Sequence, residues 1–449
     1  MSFQVALSQL IDVLRATTLH LSSDLRSRVA FGISTDTRTV QPGQLFLALR
    51  GEKFDGHGFV EQAIAAGAIA AIVESPIEAA VPQILVANTL QAYQTLGQWW
   101  RMQFRIPIVA ITGSVGKTTT KEILAAALGT AGPVLKTEAN FNNEIGVPKT
   151  LLNLNPDHHF AVIEMGMRGP GEIAELTRIA QPDIGLITNV GTAHIERLGS
   201  REAIARAKCE LLAVMPATST AILNAENPLL LETADTVWDG PTVTYGFSTG
   251  DLCGTLVDAK TLEVEGVQYP LPLPGEHNAL NLLAAIAVLR TLHLDDHPLR
   301  QGLTVHLPDG RAQQYCLPND IVLLDESYNA GAESMAAALK LLAQTPGTRR
   351  IAVLGPMKEL GDFAEELHRN VGAQAEALGI DALYILDTGP EGTAIAQGTD
   401  TLPTRQFEDP NTLIDALVET VQAGDRLLFK ASRAVKLDRV VVGLRDRLR

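Results

Sequence analysis

The sequence is poor in cysteine and poor in positive charge. Its 449 residues include three cysteines, Cys209, Cys253 and Cys316, far apart and without a CxxC pair. That argues against a disulfide framework or a structural zinc and fits a reducing, cytoplasmic setting. Lysine and arginine total 36 against 51 acidic residues, a formal net charge of −15. A surface this acidic repels polyanions, so no nucleic-acid partner is expected. No apolar run of ~18 residues is free of breakers, so no membrane span is expected. The opening stretch MSFQVALSQLIDVLRATTLH lacks a basic start, a short apolar block and a small-residue cleavage site, so no secretory leader is expected. Its apolar residues Val5, Leu7, Leu10, Ile11 and Leu14 fall at helical spacing instead. There is no internal repeat and no low-complexity tail, and the C-terminal part has no GxGxxG to support a dinucleotide site.

A chain of this length predicts two to four domains, each with its own core. Three segments are legible. Residues 1–103 hold short β-like runs (QLFLAL, AAIVES, PQILVA) between turns and Ala-rich helices, with Trp99-Trp100 near the end of the last helix. Residues 104–310 alternate strand and helix, and runs such as Ile184–Thr188 are nearly apolar throughout, which suits a parallel sheet covered on both faces. Short alternating strands at 241–273 interrupt this pattern. The Pro- and Gly-bearing stretch 307–320 is expected to be an interdomain connection, and 311–449 a third α/β domain.

The chemistry begins at VAITGSVGKTTTKEIL, Val109 to Leu124. An apolar strand runs into two glycines, then into a helix. Gly113 and Gly116 can take backbone angles that let amide groups converge on oxygen. The N–H groups around Ser114 and Val115 and the positive end of the following helix suit phosphate. Lys117 can reach the β and γ phosphates, and Thr118, followed by Thr119, can offer its hydroxyl to Mg²⁺. The strict G-x-x-x-x-G-K-[ST] pattern needs glycine where Ile111 stands, which weakens a reading as a general GTPase or transporter ATPase.

Other residues can join this loop. Glu164 ends a buried strand, where α/β proteins face their ligands, and can hold magnesium directly or through water. His194 follows another strand end; a structural and a ligand role are both open for it. Lys208, in a helix, reads as an exposed lysine. Arg311, after Pro308-Asp-Gly310, is either a linker charge or a cation that meets phosphate when domains close. In DESYNAGAESM, Asp325 can orient ribose or metal, while Tyr328 and Asn329 can meet a base. The segment 34–59 gathers Asp36, Arg38, Asp55 and His57 around turns, a second candidate anion or nucleotide pocket.

Together these stretches resemble the Mur ligases, the ATP-dependent amide-forming enzymes of peptidoglycan precursor synthesis. TGSVGKTTTKE resembles the family's short phosphate loop, which accounts for the missing glycine. EANFNNEIGVPKTLL, IEMGMRGPGEI, TNVGTAHIERLGS, IARAKCELL, LPGEHNALNLLAAIAV and VLGPMKELGD extend the likeness across the chain. Ala-His-Ile-Glu at 193–196, and the absence of an Asp-Asn-Pro-Arg stretch, are unlike the tripeptide-forming member.

The resemblance implies three domains: a UDP-substrate-binding α/β domain, a central P-loop ATPase-type parallel sheet, and a Rossmann-like C-terminal domain that closes over the site. It implies UDP-N-acetylmuramoyl-tripeptide and D-alanyl-D-alanine as small-molecule substrates of a cytoplasmic enzyme, expected to be a monomer. Thr35, Asp36, Arg38, Asp55 and His57, with Asn140, Asn142 and Asn143, match positions for the UDP substrate. Thr118, Glu164 and His194 match magnesium-site positions. Lys208 matches a lysine carried as a carbamate that helps hold a second Mg²⁺, which reverses the exposed-lysine reading. Asn278, Arg311, Asp325 and Asn329 match positions that contact ATP, and Lys117, His194 and Lys208 are the expected catalytic residues. Two departures, Ala330-Gly331-Ala332 after Asn329 and Ala431 between Lys430 and Ser432, bear on adenine and dipeptide contacts. Two other readings stay open on sequence: another ligase of this fold, tripeptide-forming or folylpolyglutamate-type, and a regulatory NTP-binding protein.

Overall fold

A computed structural model describes residues 3–51 and 54–448. Its centre is a sheet of nine strands among the described residues. The order is Val267–Pro270, Thr261–Val264, Leu252–Asp258, Thr242–Gly246, Thr220–Asn224, Ile184–Ile187, Ile108–Thr112, Phe160–Glu164, Val134–Lys136. The seven strands from Leu252–Asp258 to Val134–Lys136 are parallel; the other two form an antiparallel extension at one edge. The middle strands are apolar because both faces are covered. Ile108 and Ala110 enter one core with Ile173, Leu176, Ile204 and Leu211, whereas Val109 and Ile111 enter another with Ile123, Leu124, Leu282 and Ile286. Period-two alternation thus feeds two helical layers.

The first unit has five strands ordered Thr17–Leu19, Gln83–Leu85, Ala70–Val73, Leu45–Leu47, Ile33–Ser34, all parallel neighbours except the first pair. The third has Gln313–Leu317, Ile321–Asp325, Asp425–Lys430, Arg349–Leu354, Ala382–Leu386 and Thr404–Phe407, parallel except for its first strand.

Two expectations are corrected. The N-terminal helical stretch is confined to Leu7–Leu14, because Val5–Ala6 pairs antiparallel with Val29–Ala30. The expected connection 307–320 contains the strand Gln313–Leu317, folded back on Ile321–Asp325 by a turn in which Asn319 and Asp320 have φ of 59° and 58°. Its alternating half-buried and exposed residues are those of an edge strand, so the true link ends before residue 313.

The units are fastened by named contacts. The helix Thr89–Arg101 docks on the central sheet through the buried Arg101, which donates to the carbonyls of Ala180 and Gln181 and to Asp183, each at 3.0 Å. A Cβ on Gly97 would lie 2.9 Å from the Cα of Pro148, so only glycine allows this close approach. No helix among the described residues is long and apolar enough to cross a membrane.

Candidate active site

The loop after Ile108–Thr112 is shaped by its neighbour. Gly113 has φ +153°, and a Cβ there would sit 1.9 Å from the Thr188 hydroxyl. Gly116, at φ +83°, caps the helix Lys117–Gly129. Ser114 N–H donates to the Asn189 carbonyl at 3.1 Å, Val115 N–H to Asn189 Oδ1 at 3.0 Å, and Gly191 N–H to Ser114 Oγ at 2.9 Å. The chain after the neighbouring strand therefore moulds the loop. Lys117 folds over it, donating to the carbonyls of Gly113 at 2.7 Å and Ser114 at 3.4 Å. Burial lowers the proton affinity of this lysine, the negative Glu164 works against that, and Arg311 adds to it.

Glu164 ends Phe160–Glu164, in register with Ile111 on the loop's own strand. Its Oε1 accepts from Asn142 Nδ2 at 2.8 Å. Its Oε2 is buried without a hydrogen-bond donor. His194 has φ +68° and caps the short helix Ile195–Leu198. Its Nδ1 pairs with Glu359 of the third unit; burial favours the neutral ring and Glu359 opposes that.

Lys208 corrects an expectation read from composition. It is 1% exposed, on the stripe of Arg201–Val214 that also buries Ile204, Ala205, Leu211 and Leu212. Lys121 and Lys136 have carboxylate partners, whereas Lys208 has no ion pair among the described residues. Burial, reinforced by the positive Lys117, pushes its pKa well below the ordinary lysine range.

The third unit brings Arg311, stacked 4.1 Å over the ring of Tyr328, with Arg433 at 5.3 Å from the same ring. Arg311 Nε is buried without a partner. Lys430 is buried, donates to the Asn329 carbonyl at 3.1 Å and stands 3.9 Å from Glu326. Asn278 lies in the first turn of Glu276–Thr291, with its amide donated to the Pro274 carbonyl at 2.7 Å.

A cavity of about 900 Å³ joins these pieces. Ser114, Val115, Gly116, Lys117, Thr118, Thr119, Asn140, Asn142, Asn143, Glu164, His194, Asn278, Arg311, Tyr328 and Asn329 line it. Gly113, Lys208 and Asp325 do not form its wall. Asp325 is buried at a strand end, accepts from Ser327 N–H at 3.0 Å, and has its pKa raised by that burial. Thr35, Asp36, Arg38, Asp55 and His57 also lie off the wall, in the first unit. Asp36 pairs with Arg38, whose hydrogen bonds bring its pKa down to about 2; Lys149 of the central unit also acts on it. His57 spends both ring nitrogens within the first unit: Nδ1 pairs with Asp55 of its own turn at 2.6 Å, and Nε2 accepts at 2.8 Å from the N–H of Glu74, which follows the strand Ala70–Val73. It holds the turn in shape.

Sequence reasoning missed Lys121, Glu333, Glu359 and Lys430 as members of this region. Glu333 accepts from Thr192 N–H at 2.7 Å and from its hydroxyl at 3.2 Å, beside His194. All four lay in stretches already singled out, and no spacing rule says which distant residue each one meets. No cluster of three or more His, Cys, Asp or Glu able to hold a metal is found among the described residues. Magnesium seldom needs one, since it keeps water and takes phosphate oxygens beside one or two carboxylates. The Glu164 carboxylate and the Thr118 hydroxyl, both on the cavity wall, fit that pattern.

A phosphate loop on a parallel sheet, flanked by two further α/β units that share one cavity, defines a three-domain nucleotide-binding protein. Residues 31–97 match the Mur ligase family catalytic domain, 111–289 the Mur ligase middle domain and 310–433 the Mur ligase glutamate ligase domain. The chain belongs to the Mur ligase family. It is 58% identical over 425 residues to the UDP-N-acetylmuramoyl-tripeptide–D-alanyl-D-alanine ligase of Synechocystis sp., covering 94% of this chain and 93% of that one. The ligase of the same name from Escherichia coli is 37% identical, with 98% of each chain covered. Among solved structures, MurF from Acinetobacter baumannii superposes with a TM-score of 0.91 at 31% identity, over 99% of both chains. MurF from Thermotoga maritima in complex with ADP gives 0.83 at 30% identity, over 93% of this chain and 97% of that one.

Proposed function

We propose that this protein joins D-alanyl-D-alanine to UDP-N-acetylmuramoyl-tripeptide, with ATP cleaved to ADP and phosphate, giving the pentapeptide precursor of peptidoglycan. The observation that carries the reading is the shared cavity: the phosphate loop, a strand-end carboxylate and the cations Lys117, Arg311 and Lys430 face one volume, in a chain similar end to end to ligases named for that reaction. A carboxylate does not react with an amine at neutral pH, because its leaving group is poor. Phosphorylation of the tripeptide's terminal carboxylate makes an acyl phosphate, and the dipeptide amine then displaces phosphate.

The first step brings a carboxylate against a polyphosphate. Lys117 and the amides of 114–117 neutralise and orient the phosphates as the charge shifts. Thr118, Glu164, His194 and a carbamylated Lys208 would hold two magnesium ions, which supply further neutralisation. Asn278, Arg311, Tyr328 and Asn329 hold the nucleotide, with Asp325 supporting them from behind. Arg311 is suited to this because its Nε has no partner of its own. The turns at Thr35–Arg38 and Asp55–His57 of domain 1–103 take the UDP substrate together with Asn140, Asn142 and Asn143 of the central domain. Domain 104–310 binds ATP, and domain 311–449 closes over both and excludes water. The enzyme works as a cytoplasmic monomer. Phosphate release with ATP alone, with each substrate and with both tests the reading: release should require the tripeptide nucleotide together with D-alanyl-D-alanine. Equal use of free diaminopimelate or lysine would favour a tripeptide-forming ligase, and release from ATP alone would favour a regulatory NTPase.

A further inference from the structure

Lys121 is fully buried, one helical turn beyond Lys117, and the reaction as described gives it no task. Its Nζ donates to the Thr137 carbonyl at 2.7 Å, stands 3.1 Å from Glu122 Oε1, and faces Glu164 Oε2 at 3.8 Å. Burying an ammonium is costly unless its partners return the lost hydration. One reading makes it the partner of Glu122. That carboxylate already pairs with Lys136.

Glu164 lacks such provision. Its outward Oε1 has Asn142, while Oε2 is buried and accepts no hydrogen bond. Lys117 is near enough to act on Glu164, yet its own bonds are to the loop carbonyls, and bound phosphate would draw it further away. Lys121 is then the cation left to Glu164. Thr137 ties the two together: its carbonyl takes the Lys121 ammonium and its hydroxyl accepts from Glu164 N–H at 2.9 Å.

We propose that Lys121 is a positioning residue for Glu164, holding the inner carboxylate oxygen so that the outer one is presented to a divalent cation in the cavity. This rests on the reading of Glu164 as a magnesium-site residue. Groups that orient metal-binding carboxylates typically change metal affinity ~10–100-fold when removed.

The test separates this role from neutralisation of Glu122. K121M/E122Q removes both charges of that pair, and K121Q/E122Q does so while keeping a donor for Thr137. Melting temperature is measured for both, and the better-folded one is carried forward with E164Q. Binding of Mn²⁺ in the presence of ADP is read from the free-ion signal by electron paramagnetic resonance, alongside ADP affinity in chelator. The double variant should keep its ADP affinity in chelator and bind Mn²⁺ at least ~10-fold more weakly than the parent. Parental Mn²⁺ affinity in the double variant, with weakened affinity in E164Q, would overturn the positioning role alone. Parental affinity in E164Q would instead overturn the reading of Glu164. In a triple variant carrying E164Q, loss of Lys121 should weaken Mn²⁺ no further; an additional loss would mean that Lys121 acts by another route.

Discussion

Lys208 shows how one side chain changes meaning once its surroundings are known. A lysine has no acceptor to offer a metal, and a buried ammonium beside Lys117 is repelled. The neutral amine that burial favours is the species that adds carbon dioxide, and the resulting carbamate carries a negative charge and two oxygens. Lys208→Ala is expected to be nearly inactive, with partial recovery in millimolar short-chain carboxylate; Lys208→Arg should not recover. Assays over a carboxylate series check this, and full activity of the alanine variant without additive would end the carbamate reading. Lys117→Ala should lower turnover at least ~100-fold, since an interaction aimed at developing phosphoryl charge is worth ~3 kcal/mol or more. Its melting temperature should stay near the parent's, because the lysine bonds only to carbonyls of its own loop. The meeting of Lys117, Thr118 and Glu164 on one cavity wall was legible in the sequence, because strand ends and a glycine loop put side chains at fixed offsets. The burial of Lys208 was not: a helix of mixed composition offers several faces, and only packing selects one.

At the scale of elements, strand–loop–helix order in the centre could be read from apolar runs, whereas turns decided what could not. The fold-back at Asn319 and Asp320 converts an expected linker into a strand, and Pro and Gly nearby gave the opposite signal. The loop itself depends on the next strand's continuation. Gly113→Ala would force a Cβ into the Thr188 hydroxyl at a backbone angle that side chains avoid. It should destabilise the fold by about 2 kcal/mol or more, read by urea denaturation, and lower turnover as well. The helix Glu276–Thr291 carries a pH signature. His277, in its first turn, has its pKa lowered from 6.5 to about 4, by burial first and by the positive Lys430 second. Between those values the unfolded chain binds a proton that the folded chain does not. Stability is therefore full above pH 6.5 and falls as pH drops toward 4, by at most ~3 kcal/mol and less where water reaches the cavity wall. His277→Gln should flatten the melting-temperature profile across that window relative to the parent. Parallel profiles for the two proteins would mean that His277 titrates normally.

Across the whole molecule, the third domain reaches the central one through carboxylates. Glu333 accepts twice from Thr192, Glu359 meets His194, and Glu276 of the central domain pairs with Lys340. A Cβ on Gly191 would lie 2.5 Å from the Glu333 carboxylate, so any side chain at residue 191 would displace that carboxylate from its present place. The segment bearing His194 is thus held from the domain that we propose closes over the site. Sequence could not give this, since Glu333 and Glu359 stand 141 and 165 residues from their partners and look like ordinary surface acids. Removing these acceptors should favour the open arrangement. Hydrogen bonds to a charged group are worth ~1.5–3 kcal/mol, so the closed-to-open ratio should fall ~10-fold or more in Glu333→Ala. Small-angle scattering with ADP should then give a larger radius of gyration than for the parent. A more telling sign is chemical. A domain that closes poorly lets water reach the acyl phosphate, so phosphate release should outrun amide formation. The ratio of the two products, measured in one reaction, should be near one for the parent and rise in Glu333→Ala, with Glu333→Gln, which keeps an acceptor for Thr192 N–H, in between. If the ratio stays at one while turnover falls, the contact serves the alignment of His194 and plays no part in excluding water.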